Sequence, residues 1–386
     1  MADRTPSPGL LFVSTYPPTR CGIATFTQSL VGSLRELRGG NSENGVVRLL
    51  TEWEVGGDAA GDVVAEPRVH APGWAGRIAT WCNGFDLLWV QHEFGIFGPD
   101  DGLAVVELCS TAPLPIATTL HTVAAAPTPR QRQIVESLGR ASELLVVMSE
   151  QAAYRLLELY DIPAEKVHVV PHGARVMPPR LSAVDPGRRP TVVNWGLVGP
   201  GKGLEWGIRA MARLQHLEPP PQLIIRGSTH PNVKRREGEQ YRDQLSDLVR
   251  SLDLEGTVTI VDGYMSPSEL ERLVRDADLA LLPYDNSEQV TSGVLVDVIA
   301  AGLPVVATRF PHAVELLATG AGLVVPQRDD VAMASAMERL LTRPVELAAA
   351  AEEARRVGQR HAWPRVAAAY ERLARLVVMS EKTSVA

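Results

Sequence analysis

The chain has 386 residues, of which 45% are hydrophobic and 22% are charged. This composition is close to that of an average globular protein, so it excludes a fibrous or disordered chain. A chain of this length is too long to fold around one hydrophobic core. It therefore predicts two domains of roughly 100–200 residues each. The net charge of −7 disfavours general nucleic-acid binding, because that binding depends on phosphate neutralisation by Lys and Arg.

The sequence also indicates the cellular location of the protein and the state of its cysteines. No apolar run reaches the ~18 residues of a membrane-spanning helix, and residues 1–9 lack the pattern of a secretory signal. We therefore expect a cytoplasmic protein; peripheral membrane contact is not favoured, since residues 1–175 carry 13 basic and 19 acidic residues. Cys21, Cys82 and Cys109 are an odd number without CxxC spacing, which supports neither a disulfide framework nor a zinc site.

The first half alternates short apolar runs with helical stretches. The runs predict buried parallel strands at 10–14, 86–91, 115–121, 143–149 and 167–173. Helices are predicted at 22–37, 101–110, 128–140 and 150–160. Residues 177–190 are rich in Pro and Gly without periodicity, which predicts a linker.

The second half repeats this alternation. Strands are predicted at 191–198, 221–227, 257–263, 279–284, 304–308 and 322–326. Helices are predicted at 203–214, 241–252, 267–276, 292–301 and 311–319, and from about Asp329 onward. The fold class is therefore α/β, with two doubly wound parallel-sheet domains of the Rossmann-like kind and a ligand cleft at the carboxyl ends of their strands.

Each half opens with a strand, a glycine-bearing loop and a helix. In YPPTRCGIATF, Gly22 lets the backbone approach a ligand where a helix begins. In WGLVGPGKGLEW, three glycines surround Lys202, so exposed N–H groups and an ammonium suit a phosphate. By itself, either loop is equally typical of an ordinary solvated turn.

The stretch EQVTSGVLVD predicts a third anion site. Thr291, Ser292 and Gly293 form an N-cap region before an apolar, buried helix. Asp297, one turn in, either complements the helix dipole or accepts hydrogen bonds from ligand hydroxyls. A helix terminus contributes at most ~2 kcal/mol, whereas micromolar binding requires about 8 kcal/mol. A diphosphate that contacts all three loops would supply the difference.

These segments together resemble the retaining glycosyltransferases of family 4, which have the two-domain GT-B fold. The segments that carry the resemblance are YPPTRCGIATF, QHEFGIFG, TLHTV, VVPHG, GLVGPGKGLE, EQVTSGVLVDVIAAGLPVVAT and HAWPRVA. The resemblance implies an acceptor-binding domain, a linker, a nucleotide-sugar-binding domain, a crossover helix that packs on the first domain, and a tail. Their ranges are 1–176, 177–190, 191–362, 363–380 and 381–386.

The resemblance also implies roles for individual residues. Backbone N–H at Gly22 would face the donor diphosphate, Lys202 would contact its phosphate, and His121 would lie beside the donor sugar. The other implied donor contacts are Arg226 for phosphate, Thr291, Ser292 and Gly293 for the distal phosphate, Asp297 for ribose, and Gly263 and Tyr264 for the base. Arg20, His92 and Glu93 are assigned to the acceptor.

Three positions depart from the family pattern. Leu197 stands where the family often has arginine, so the phosphate charge would come from Lys202 with Arg226. The family's paired glutamates align with Gln289 and Asp297, with Glu288 one position early. Either Glu288 or Gln289 would therefore bind the outer hydroxyls of the sugar beside the catalytic His121.

The expected reaction moves a hexose from a UDP- or GDP-sugar to a hydroxyl of a carbohydrate or other small acceptor, with retention and without a metal or further cofactor. The DAD sequence at 276–278 and the basic triplet at 234–236 are interpreted as a helix cap and a solvated face. Two alternatives stay open: a nucleotide-sugar epimerase or glycoside phosphorylase on the same fold, and a catalytically silent binding module.

Overall fold

The computed structural model describes residues 7–40, 43–51, 54, 56–57, 61–177, 187–286 and 290–384, and it divides the chain into two compact units. Unit 1 consists of Met1–Gly173 and Trp363–Ala386, and unit 2 of Ala174–Ala362. Each unit has one sheet, and every strand pairing in the described residues is parallel. The predicted fold class is confirmed. Most of the predicted linker, 178–186, lies outside the described residues.

The strands are short and mostly buried. In chain order they are β1 Leu10–Ser14, β2 Asn44–Arg48, β3 Val63–Ala65, β4 Leu87–His92, β5 Ile116–Leu120, β6 Leu144–Val147, β7 Val167–Val169, β8 Thr191–Trp195, β9 Gln222–Arg226, β10 Val258–Val261, β11 Leu279–Leu282, β12 Val305–Thr308 and β13 Gly322–Val325. Continuous apolar runs such as these are expected where helices cover both faces of a parallel sheet.

The helices connect successive strands. In chain order they are α1 Gly22–Leu37, α2 Pro99–Gly102, α3 Ala104–Thr111, α4 Pro129–Ala141, α5 Glu150–Leu159, α6 Leu204–Ala212, α7 Pro231–Glu237, α8 Gln240–Ser251, α9 Pro267–Asp276, α10 Gly293–Ala300, α11 Pro311–Leu316, α12 Asp330–Thr342, α13 Pro344–Gly358 and α14 Trp363–Ser384. Short 3₁₀ turns occur at Ala75–Thr80, Ala164–Lys166 and Gln359–His361. Across the described part of the chain, none of the helices combines the length and the apolarity required to span a bilayer.

The strand order places a switch point in each sheet. The order is β3-β2-β1-β4-β5-β6-β7 in unit 1 and β10-β9-β8-β11-β12-β13 in unit 2. The chain therefore winds outward from β1 or β8 in one direction, then crosses to β4 or β11 and continues in the other. Ligands of doubly wound sheets bind at the carboxyl ends of the strands beside such a crossing. A ligand is therefore expected at the loops after β1, β4, β8 and β11.

The last helix belongs to unit 1. Tyr370 on α14 is fully buried, and its ring lies 4.8 Å from the ring of Trp89 on β4. An ion pair between Arg38, at the end of α1, and Glu371 ties the two helices together, with 4% of the Arg38 side chain exposed. A buried pair of this kind is costly to break from one side. It therefore keeps α14 in register on α1.

Unit 2 has a core on each face of its sheet. On one face, Val192 and Leu281 pack with residues of α6, α8 and α12. On the other, Val193 and Leu282 pack with residues of α9, α10, α11 and α13. The buried apolar circumference predicted for α10 is consistent with its position, since its buried residues include Leu295, Val296, Val298 and Ile299.

Three elements were not expected from the sequence. Strands β2 and β3 lie in a stretch without a clear apolar run, and β2 ends on a charged residue, Arg48. Arg48 is nevertheless buried, because it pairs with Glu66 at 2.7 Å. Helix α7 forms over the basic triplet, where Lys234 pairs with Glu239 at 2.7 Å and keeps 62% of its side chain exposed.

Candidate functional site

The glycine loop after β8 is held in a shape that only glycine permits. Gly203 begins α6 at φ 60°, and a Cβ there would lie 2.1 Å from the carbonyl oxygen of Pro283. Gly201 has φ 86°. Between them, the Nζ atom of Lys202 lies 4.4 Å from the centroid of the Tyr284 ring. Lys202 forms no ion pair with any described residue, so its charge is oriented by an aromatic face and lacks a carboxylate partner.

The start of α10, after β11, presents free backbone donors. Ser292 is the N-cap: its Oγ accepts the N–H of Leu295 at 3.2 Å. The N–H of Ser292 donates to Nδ1 of His312 at 2.9 Å. The N–H groups of Gly293 and Val294 form no hydrogen bond with the part of the chain that the structure describes. N–H groups at the positive end of a buried helix suit an anion, so the start of α10 stays a candidate anion site.

Asp297 is a half-buried acid on α10. Its carboxylate forms no hydrogen bond or ion pair with a described residue. Burial raises the pKa of this carboxyl to about 7. Desolvation is the cause of this rise, since the carboxyl lies among the buried residues of α10. An unsatisfied acceptor one turn from the free N–H groups suits ligand hydroxyls. Thr291, which precedes the cap, is half-buried.

The remaining donor-side candidates lie at the same edge, after β9 and β10. Arg226 ends β9 and donates from Nη2 to Glu269 at 2.8 Å, while its buried Nε has no partner among the described residues. Gly263 has φ 124°, and its N–H donates to Asp262 at 2.8 Å. Tyr264 is 46% exposed. In the strand order these groups follow β9 and β10, on one side of β8 and the loop of Lys202. Arg226 already pairs with Glu269.

The loop after β1 in unit 1 begins α1 with two free donors. Cys21 is the N-cap, and its Sγ accepts the N–H of Ala24 at 3.4 Å. The N–H groups of Gly22 and Ile23 form no hydrogen bond within the described ranges. A Cβ on Gly22 would meet nothing within 4 Å, and its φ is ordinary. The protein itself therefore does not require glycine at this position.

His121 follows β5 at the same edge. Its Nε2 lies 2.8 Å from Oε1 of Gln91. An amide oxygen only accepts, so Nε2 carries the proton and Nδ1 is left as an acceptor. Burial, helped by the neighbouring His172 and His92, lowers the pKa of His121 to about 3, so the ring is neutral. Phe26 packs edge-on against His121, with the ring centroids 5.0 Å apart.

His92 and Glu93 end β4 beside His121. His92 is fully buried, both its ring nitrogens lack a partner among the described residues, and burial lowers its pKa to about 3. Burial raises the pKa of the Glu93 carboxyl, which accepts hydrogen bonds from the Thr122 hydroxyl and, at 3.1 Å, from the N–H of Phe94. Arg20 is exposed in the loop before α1.

Two predicted residues lie outside the described residues. Glu288 and Gln289 precede the cap of α10, and the structure describes neither. The predicted site therefore divides into two groups. Lys202, Thr291–Gly293 and Asp297 follow β8 and β11, the strands that flank the switch point of unit 2. In unit 1, Gly22, His92 and Glu93 lie after or at the end of the flanking strands β1 and β4, and His121 follows the next strand, β5.

The comparisons with known proteins agree with this geometry. Residues 58–176 match the model described as glycosyltransferase family 4, and residues 189–343 match that of the glycosyl transferases group 1. The D-inositol 3-phosphate glycosyltransferase of Rhodococcus erythropolis is 30% identical over 333 residues, which cover 79% of this chain and 69% of that protein. The chain is a family 4 glycosyltransferase.

Solved structures show the same fold at low sequence identity. A glycosyltransferase from Rickettsia africae ESF-5 superposes with a TM-score of 0.73 at 15% identity, covering 96% of this chain and 98% of that one. Anabaena HepE, solved in complex with UDP and glucose, gives 0.71 at 16% identity, covering 95% and 99%. The glycosyltransferase therefore has a fold of GT-B type.

Sequence reasoning missed two residues that shape the donor edge of the glycosyltransferase. Tyr284 supports Lys202, and His312 binds the N-cap of α10. An aromatic residue directly after β11 was a weak signal for the first. No local signal pointed to His312, which lies 20 residues after Ser292.

The acidic side chains of the glycosyltransferase are dispersed over the described residues. Within the described ranges, no three His, Cys, Asp or Glu side chains are grouped to hold a metal ion. In the DAD sequence, Asp278 accepts hydrogen bonds from Arg188 and, at 2.8 Å, from the N–H of Thr191. These contacts give Asp278 a structural role at the start of β8, and neither of them caps the helix α9 that precedes it.

Proposed function

We propose that this glycosyltransferase moves a hexose from a UDP- or GDP-sugar to a hydroxyl of a carbohydrate or other small acceptor, with retention at the anomeric carbon. The observation that carries the proposal is the donor edge of unit 2. There, the loops at one switch point hold an ammonium, two N–H groups and a carboxylate. Among the described residues, none of these groups has an ion-pair or hydrogen-bond partner. That combination matches a diphosphate followed by ribose hydroxyls.

The magnitudes are sufficient for substrate binding. Hydrogen bonds to charged groups contribute about 1.5–3 kcal/mol each. Lys202, Gly293 and Val294 would together supply most of the about 8 kcal/mol that micromolar binding requires. Asp297 would accept the ribose hydroxyls, and Arg226, Gly263 and Tyr264 would border the second phosphate and the base. Thr291 and Ser292 would meet the distal phosphate through the helix start.

Unit 1 would supply the acceptor edge and complete the donor contacts. The free N–H groups at Gly22 would face the diphosphate, and Nδ1 of neutral His121 would accept a hydrogen bond from a donor-sugar hydroxyl. His92, Glu93 and Arg20 would position the acceptor. Glu288 or Gln289 would bind the outer sugar hydroxyls.

In the reaction, the bond between the anomeric carbon and the phosphate oxygen breaks on the same face on which the acceptor oxygen bonds to that carbon. The acceptor proton passes to the departing diphosphate. The leaving group then acts as the base. This fits the low pKa of His121 and His92, because a ring that does not hold a proton at neutral pH is a weak base. Electrostatic stabilisation of the leaving diphosphate is the main catalytic contribution.

We further propose that Lys202 and the helix N–H groups stabilise the leaving diphosphate without a divalent cation or another cofactor. Turnover in excess EDTA should equal turnover without it. A loss that Mg²⁺ or Mn²⁺ restores would contradict this part of the proposal and leave the transfer reaction standing.

The test is a panel of nucleotide sugars incubated with and without acceptor. UDP-glucose comes first, because HepE was solved with UDP and glucose. The acceptors include inositol 3-phosphate, named in the curated relatives, together with free inositol and simple sugars. Acceptor-dependent transfer with an unchanged anomeric configuration supports the proposal. Isomerisation of the donor alone would show an epimerase, consumption of a disaccharide with phosphate a phosphorylase, and binding without turnover a silent module.

A further inference from the structure

His312 is a buried histidine outside the predicted site. It lies in the first turn of α11, and 2% of its surface is exposed. Its Nδ1 accepts the backbone N–H of Ser292 at 2.9 Å, across 20 residues of sequence. A neutral imidazole has one donor nitrogen and one acceptor nitrogen, so this bond requires the tautomer with the proton on Nε2.

The residue that His312 holds is the N-cap of α10. Ser292 has extended backbone angles, φ −130° and ψ 108°, and its Oγ closes the first turn by accepting the N–H of Leu295. With both its N–H and its Oγ engaged, Ser292 is fixed at two points. The next two N–H groups, those of Gly293 and Val294, are the ones that have no partner in the described chain. Their directions depend on the conformation of the cap.

We propose that His312 is a positioning residue that aims the N–H groups of Gly293 and Val294 at the distal phosphate of the donor, acting through Ser292 without touching the nucleotide. This inference rests on the proposed function of the α10 turn. A pre-aligned donor pair binds an anion without paying to order the backbone first, and misalignment weakens charge-assisted hydrogen bonds steeply. The effect of His312 should therefore appear in binding of the second phosphate.

The experiment compares His312→Ala, His312→Asn and His312→Gln by calorimetry with UDP, UMP, GDP and GMP. Asn places its amide oxygen near the position of Nδ1 and retains the acceptor. Gln is the matched control, since its amide lies one bond farther along the side chain. We expect His312→Ala to lower the affinity for the diphosphate that wild type binds at least tenfold. The affinity for the corresponding monophosphate should stay within threefold of the wild-type value. His312→Asn should recover most of the loss, and His312→Gln should not.

The outcomes separate this inference from the proposed function. If wild type binds neither UDP nor GDP, the proposed function fails. If wild type binds one of them and His312→Ala weakens diphosphate and monophosphate equally, the positioning role is wrong and the donor site stands. If His312→Ala does not fold, the comparison of Asn with Gln decides: equal diphosphate affinity in those two variants, at equal melting temperature, also overturns the inference.

Discussion

Replacing Asp297 with Asn should make the ligand-free protein more stable while weakening its binding of nucleotide. The carboxylate is half-buried and no described residue offers it a hydrogen bond or an opposite charge. Burial raises its pKa from the ordinary 3.8 to about 7. At 1.36 kcal/mol for each pKa unit, the ionised form costs the folded state up to about 4 kcal/mol. An amide of the same shape removes that cost.

The stabilisation should depend on pH in a defined direction. Below about pH 4 the carboxyl is protonated in both the folded and the unfolded chain, so Asp297→Asn changes little. Between about pH 4 and pH 7 the folded state holds the proton that the unfolded state has released, and the stability of wild type falls as pH rises. Above pH 7 both states are ionised, and the advantage of Asn is constant and largest.

Thermal unfolding of wild type and Asp297→Asn at pH 4.5 and pH 8 measures this effect. With about 2–4 °C per kcal/mol for a domain of this size, we expect Asn to melt about 8 °C or more higher at pH 8. At pH 4.5 the difference should be no more than about 4 °C, because only about 1 kcal/mol separates the two proteins there. The exposed Asp243→Asn is the control, since it changes the net charge equally. An equal rise for Asp243→Asn, or a rise for Asp297→Asn that is independent of pH, would refute the reasoning.

Three further predictions concern ligand contacts. Lys202→Ala should weaken UDP or GDP binding at least tenfold and uridine or guanosine binding little, because no described carboxylate pairs with the ammonium; unchanged diphosphate affinity by calorimetry would count against it. His121→Ala should reduce turnover more than nucleotide affinity, and equal losses would indicate a structural role. Gly22→Ala should lower kcat/KM at least tenfold without a change in Tm, because only a ligand can meet the added Cβ. Gly32→Ala, in the interior of the same helix and equally open, should leave kcat/KM unchanged and raise Tm slightly, because alanine favours a helix interior by about 1 kcal/mol. Normal turnover in Gly22→Ala would show that no ligand approaches there.

Three features were predictable from the sequence because each depends on residues within a few positions. They are the alternation of strands and helices, the glycine loop around Lys202 and the cap of α10. Gly203, for example, needs φ 60°, and Ser292 caps an N–H three residues later. The sequence also predicted that ligand-binding loops follow the first strand of each half. Parallel strands joined by helices allow few topologies, and this constraint places those loops at the carboxyl edge.

Only the tertiary structure decided which distant residues meet. Arg48, at the end of strand β2, is buried because it pairs with Glu66. A strand that ends on a charged residue has no continuous apolar run from which it could be predicted. His312 reaches Ser292 only because β12 and α11 return the chain to the start of α10. Asp297 has no partner among the described residues, and this depends on how the packing of α10 buries its carboxyl. Local preferences act over about one helical turn, whereas burial and partner choice follow from the packing of the whole unit.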